Sequence, residues 1–303
     1  MEYAEKINEM ARVAPEAMVR EAENRYHERL DAIAEKIFRN EQKRIVMLAG
    51  PSASGKTTSA KLISDKLNSM GAQAFIVSLD NFYKDQSQAV MDEEGNPDFE
   101  TVHALDIFLI DKCFEEIITR GETNLPIFDF TKGARSEEQQ HIKLEKDDVI
   151  IVEGIHALNP IITQSLPAEN LMKLYVSVSS RIVDEDNEVI MSKRNLRFVR
   201  RLVRDYYHRA SSVERTYELW RSVLKGEDKY IFPFSHLADE RIDSIHAYEP
   251  CVFRNIAIPM LGEVDADSEF YDDARRMISS LECFESLDKS VIPTDSLLNE
   301  FLE

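Results

Sequence analysis

Positive charge is what this chain lacks most, with 37 Lys and Arg against 56 Asp and Glu in 303 residues and a formal net charge of −19 at pH 7. Nucleic acids are held mainly through Lys and Arg contacts to phosphate, so this balance opposes nucleic-acid binding and requires any phosphate ligand to be held locally. Cysteine is also scarce. Cys113, Cys251 and Cys283 are widely spaced, odd in number and form no metal-type pair, which reads as buried reduced thiols rather than a disulfide or a redox site. With 9 Gly and 10 Pro there is no low-complexity tract. The longest apolar runs, 45–49 and 149–152, are strand-sized and far short of a membrane span, and the first forty residues are too charged for a secretory leader. A cytoplasmic location without membrane association is therefore expected. At 43% hydrophobic residues the chain can bury a substantial core, as one large or two smaller domains.

The first forty residues read as two helices broken near Pro15, the second carrying Ala22, Tyr26, Leu30, Ile33 and Ile37 at helical spacing. From Arg44 onward, strand-like runs at 45–49, 74–79, 126–130, 149–152, 174–178 and 256–260 alternate with helix-like segments, one of them long and basic. That alternation implies an α/β fold, a parallel sheet with helices on both faces. After Asp265 the chain returns to helix, and its last apolar residues, 296–302, are expected to pack back on the body.

Gly50-Pro51-Ser52-Ala53-Ser54-Gly55-Lys56-Thr57 follows the apolar run 45–49 and opens a helical segment, the context of a phosphate-binding loop. Glycines allow a tight turn whose N–H groups point inward, and the following helix adds its positive end to the same cavity. Gly50, Ser52, Ala53, Ser54, Gly55, Lys56, Thr57 and Thr58 are thus candidates for a nucleoside triphosphate. Lys56 would reach the phosphates and the Thr57 hydroxyl would ligate Mg²⁺. Two further strand runs, 75–79 and 149–152, end in Asp80 and Glu153 at the sheet edge where open α/β folds bind ligands. Position alone leaves Asp80 as a base toward an attacking hydroxyl, a holder of metal-bound water, or a turn cap. Glu153 through water would complete a hard oxygen set for Mg²⁺. The basic helix brings Arg197, Arg201 and Arg204 to one face, with Arg200 adjoining. Such a cluster suits a lid over transferring phosphate, or a solvated face.

Taken with 78–83, 125–130, 151–156 and 200–205, the loop resembles the phosphoribulokinase/uridine kinase family in order and spacing, over about residues 43–262. Within that span, 153–160 and 231–234 are similar to a bacterial uridine-kinase-like nucleoside kinase branch. The likeness is to its kinase part, without the TGS-type domain often joined to it. The resemblance implies a P-loop NTPase fold with a kinase domain over 43–264 and an Arg-rich lid around 193–212. A helical extension over 1–42, expected to carry no chemistry, and a helical segment over 265–303 flank it. It further implies an ATP- and Mg²⁺-dependent kinase in which Lys56, Asp80, Arg200 and Arg204 are catalytic, with Asp80 as general base. Thr57 and Glu153 would organise the metal. Asp80, Tyr83, Phe99, Glu100, Phe128, Phe130, Arg135, His156 and Arg197 would meet the acceptor. Phe99-Glu100 matches the aromatic-plus-Asp element that holds ribose, with Glu in place of Asp.

Two departures stand out. Phe128 and Gly133 occupy positions where uridine kinases usually carry Tyr and His, the pair that reads the pyrimidine edge, so base selection rests on stacking. Around the acceptor side, Asp85, Asp92, Glu93, Glu94, Asp98, Glu100 and Asp106 face Lys84 alone, which disfavours a phosphorylated acceptor. The expected partner is a nucleoside or another small neutral alcohol, with a homo-oligomer conceivable. A kinase for a different alcohol and a nucleotide-binding regulatory module without turnover remain the alternatives.

Overall fold

The computed structural model describes residues 1–302 apart from 41, 43, 92, 93 and 96. Asp92 and Glu93 of the acidic stretch lie outside the described residues. Seven strands frame the site: β1 (Ile45–Ala49), β2 (Ala74–Ser78), β3 (Glu122–Asp129), β4 (Ala134–Lys143), β5 (Val149–Glu153), β6 (Leu171–Ser177) and β7 (Glu240–Asp243). Five form one wholly parallel sheet in the order β7-β6-β1-β5-β2, while β3 and β4 make a separate antiparallel hairpin.

Period-two alternation sorts the sheet into two cores. Val46, Leu48, Val149, Ile151, Met172, Leu174 and Val176 point to one face. There they meet α1 (Ala4–Val13), α2 (Pro15–Arg39), α3 (Lys56–Ser69), α5 (Lys193–Arg209) and the helices that follow it. Met47, Ala49, Ile150, Val152 and Tyr175 point to the other, against Ile110, Cys113, Phe114 and Ile117 of α4 (Ile107–Arg120) and against Leu125 and Ile142 of the hairpin. The expected break near Pro15 is present, with Pro15 opening α2 where its missing N–H has no partner to lose. Ala22, Tyr26, Leu30, Ile33 and Ile37 are all buried in the first core, so the N-terminal helices and the sheet share one apolar cluster. A small second sheet joins Glu2–Tyr3 to Ile182–Val183 and Val189–Met191.

Two strand expectations are corrected. Residues 126–130 do not enter the central sheet: β3 buries Thr123 and Leu125 while Glu122 and Asn124 stay exposed, the one-sided pattern of a hairpin rather than of a strand covered on both faces. The run 256–260 is helical, inside α7 (Glu249–Leu261), with Pro259 in its last turn. The fifth parallel strand is instead β7, Glu-Arg-Ile-Asp, of which Ile242 alone is buried. As a charged edge strand it leaves no apolar run to read. Besides a single helical turn at Pro160–Thr163, the remaining α-helices among the described residues are α6 (Val213–Gly226), α8 (Tyr271–Glu282) and a final turn, α9 (Asn299–Leu302). Cys113 and Cys251 are buried as expected, whereas Cys283, just after α8, is exposed. Leu297, Leu298 and Phe301 are fully buried, so the last residues do pack on the body.

Candidate active site

A cleft of about 440 Å³ opens at the C-terminal edge of the sheet, on the β2 side of the phosphate loop. Its floor is the loop between β1 and α3. Ala53 (φ 57°) and Gly55 (φ 86°) are both left-handed, which turns neighbouring N–H groups to one side and forms an anion-binding concavity. Gly55 is required twice over, because a Cβ there would also come within 2.2 Å of Leu297 Cδ1. Ser52, Ala53, Ser54, Gly55, Lys56 and Thr57 all line the cleft, and Lys56 Nζ rests 3.3 Å from the Pro51 carbonyl. Gly50 lies just behind, and Thr58 bonds Glu300.

Parallel pairing places the two acids side by side. Glu153 ends β5 opposite Ser78 of β2, and Asp80 follows two residues after Ser78, whose hydroxyl accepts from the Asp80 N–H at 3.4 Å. Both line the cleft. Desolvation raises the Asp80 pKa, with Lys56, Arg209 and Arg204 pulling it back. Glu153 is raised for the same reason, partly offset by Lys56 and reinforced by Asp80. Buried Glu153 and half-buried Asp80, with the Thr57 hydroxyl in the same cleft, form an oxygen-only donor set, which fits Mg²⁺ retaining its waters. Among the described residues no cluster of three His, Cys, Asp or Glu forms an all-protein metal cage.

The opposite wall is aromatic and acidic. Tyr83, Phe99, Glu100, Phe128 and Phe130 line it. Tyr83 donates to the Phe99 carbonyl (3.1 Å), Phe128 meets Phe130 edge-on at 5.0 Å, and the hairpin is tied down by Phe128 N–H donating to Asn81 Oδ1 (3.2 Å). Glu100 leans on Gly226 so closely that a Cβ there would stand 2.5 Å from its own Cβ. Burial lifts the Glu100 pKa to about 7 against the pull of Arg201, with Glu227 and Asp98 adding to the rise.

The basic helix α5 departs from the expected lid. Arg200 is 0% exposed and forks onto Glu249 (2.6 and 2.9 Å), with further bonds to the Ser244 carbonyl (2.7 Å) and the Ala53 carbonyl (3.4 Å). Arg197 forks onto buried Glu227 (2.5 and 2.8 Å) and donates to the Ser52 carbonyl (3.0 Å). Neither faces the cleft, so the assignments of Arg200 to catalysis and Arg197 to the acceptor are corrected: both brace the phosphate loop from behind. Buried guanidinium groups need fixed carboxylate partners, and Glu227 and Glu249 supply them. Arg201, Arg204 and Arg209 do reach the cleft, with Arg201 donating to Ser52 Oγ at 2.9 Å. Asp205 holds all three.

Two other expected acceptor residues lie outside the cleft lining. His156 is buried, and its pKa is pushed down to about 4 by desolvation, which keeps the ring neutral. Arg135 is engaged by Asp106 (2.8 Å) and the Tyr83 carbonyl (3.2 Å). The cleft also contains Ile155 and Arg209, from the 151–156 motif and the basic helix, together with Lys84, Gln86 and Glu300, to which the sequence assigned no role at the site. The helical spacing of Arg201 from Arg197 and Arg204 was the available signal for that arginine, whereas Glu300 comes from the far end of the chain.

Residues 45–249 match the Phosphoribulokinase / Uridine kinase family. The chain belongs to this family. A uridine kinase of Lactobacillus helveticus is 30% identical over 196 residues, covering 64% of this chain and 83% of the relative. One from Staphylococcus haemolyticus is 31% identical over 196 residues, covering 64% and 84%. Among solved structures, a candidate fructose transport system kinase from Silicibacter sp. TM1040 is similar with a TM-score of 0.51 at 17% identity, covering 70% of this chain and 98% of that one, a likeness of fold alone. The fold is that of a P-loop kinase, and the chain is a phosphotransferase with an alcohol acceptor. No helix among the described residues is long and apolar enough to cross a membrane.

Proposed function

We propose that this member of the family transfers the γ-phosphoryl group of ATP to the 5′-hydroxyl of a nucleoside, and that it reads the sugar more stringently than the base. The carrying observation is one cleft that holds the phosphate loop with Lys56 at its floor, Asp80 beside it, and Glu100 with Phe99, Phe128 and Phe130 on the facing wall. Lys56 and the loop N–H groups hold the donor phosphates. Asp80, raised in pKa yet facing Lys56, takes the proton of the acceptor hydroxyl. Arg204 and Arg209, the cleft arginines whose charges act on Asp80, offset the negative charge that develops during transfer. Thr57, with Glu153 through water, would hold Mg²⁺, which would supply positive charge to the donor phosphates.

Glu100 accepts hydrogen bonds from the ribose hydroxyls, and the aromatic group stacks on any base. No polar pair marks the pyrimidine edge, since Phe128 presents a ring and Gly133 presents no side chain. A buried carboxylate left without its partners is penalised, whereas a stack tolerates exchange of its ring. A second reading, a kinase for another small neutral alcohol, is favoured by the exposure of Phe130, 63%, which leaves the aromatic wall open rather than shaped around a base. A phosphate-transfer screen separates them. Uridine, cytidine, adenosine and inosine should give similar kcat/KM and their 2′-deoxy forms should be poorer. Strong selection for the pyrimidines would overturn loose base reading, and turnover confined to a non-nucleoside alcohol would replace the nucleoside assignment.

A further inference from the structure

The first turn of α3 carries the backbone donors on which the phosphate cradle depends, because the leading N–H groups of a helix have no partner within it. Ser59 N–H already closes on the Gly55 carbonyl at 2.9 Å, so Thr58 is the last residue of that turn able to serve the cradle. Its donors are taken. The carboxylate of Glu300, from α9 at the other end of the chain, accepts from Thr58 Oγ1 at 2.6 Å and from Thr58 N at 3.4 Å, and Glu300 lines the cleft itself. A carboxylate is a fair mimic of a phosphate oxygen pair, and the positive end of a helix favours either.

The support for Glu300 is rigid. Leu297, Leu298 and Phe301 are 0% exposed, Leu297 fills the space left by the missing Cβ of Gly55, and the Arg200 guanidinium lies 5.4 Å from the Phe301 ring. The backbone of α9 is therefore fixed while the Glu300 side chain is half-buried at the cleft margin. A nucleotide entering a cleft that already contains Asp80, Glu100 and Glu153 adds negative charge beside this fourth carboxylate. Like charges at this range repel, and both ligands require the same donors.

We propose that Glu300 is an internal competitor for the donor nucleotide: its carboxylate occupies the Thr58 end of the cradle and has to swing away for a phosphate group to seat there, which sets the affinity for the donor. This rests on the phosphate-loop reading above. Calorimetric titration with ADP and, separately, with uridine tests it. Glu300→Gln keeps the shape and removes the charge, Glu300→Asp keeps the charge and shortens the reach, and Glu300→Ala removes both. Each should bind ADP more tightly than the unaltered chain, by about tenfold for Glu300→Gln, the scale of one charge-assisted hydrogen bond. Uridine affinity should be unchanged, which a general loosening of the fold would not produce. Equal or weaker ADP binding in Glu300→Gln and Glu300→Asp, with the unaltered chain binding ADP, would overturn the proposal while leaving the phosphate loop intact. Absence of ADP binding in the unaltered chain and in all variants would overturn both readings together.

Discussion

At the scale of single residues the cleft is dominated by carboxyl groups that burial discourages from ionising. Asp80 is raised by desolvation and pulled back by Lys56, Arg209 and Arg204, a balance that leaves a base able to ionise but not fully satisfied. Asp80→Asn preserves shape and cannot accept a proton, so kcat should fall by roughly 10²-fold or more while ATP and acceptor still bind. Near-normal kcat would reduce Asp80 to positioning. Glu100 offers a test through pH. Its pKa of about 7 lies above the ordinary 4.5, so the folded state binds this proton more readily than the unfolded chain. The resulting stabilisation is complete below about pH 4.5, declines as pH rises and is lost above about pH 7. Glu100→Gln, fixed in the neutral form, should therefore raise the melting temperature by a few degrees near pH 8 and change it little near pH 4, while raising the acceptor KM. A variant destabilised equally at both pH values would show that Glu100 is structural.

At the scale of elements, the arginines of α5 show how a pattern can be legible while its purpose is not. The 3.6-residue period brings Arg201 and Arg204 together at the cleft but not Arg197, and the basic run, interrupted by the single acid Asp205, is one helix. What the run does not contain is the partners. Glu227 and Glu249 lie 30 and 49 residues further on, and they decide that Arg197 and Arg200 are buried braces rather than cleft groups. The phosphate loop, Asp80 and Glu153 were readable because each signal is local: a strand followed at once by a glycine-rich turn or an acid. β7 and the hairpin were not, since a charged edge strand and a one-sided strand carry too few apolar residues to separate from a loop or from the main sheet. The brace is testable. Glu249→Gln leaves the Arg200 guanidinium, fully buried, without its counter-charge, and breaking such a pair costs about 3–5 kcal/mol. Denaturant unfolding should shift by about that amount, and because Arg200 also bonds the Ala53 carbonyl, nucleotide affinity should fall in the fraction that remains folded. An unchanged midpoint would mean that the pair is readily replaced by water.

For the whole molecule the question is whether the two ends of the chain belong to the same cooperative unit as the nucleotide site. Leu30, Ile33 and Ile37 of α2 share an apolar cluster with Ile63 and Leu67 of α3 and with Leu297, Leu298 and Phe301. Polar contacts follow the same route: Tyr26 and Ser59 bond at 2.7 Å, and Glu23 meets both His246 and Tyr248, the latter also bonding Ser296. The helix that presents the phosphate cradle is thus clasped between the first helices and the last turn. Leu30 is 1% exposed, and Leu30→Ala should cost about 2–5 kcal/mol, the range for a large side chain removed from a packed core. If the clasp is part of one unit, that cost appears in the global transition, and unfolding followed by far-ultraviolet circular dichroism should coincide with loss of ADP binding along the same denaturant axis. Were the N-terminal helices a separate appendage, Leu30→Ala would melt them first, giving an early spectroscopic change while ADP still bound with unaltered affinity.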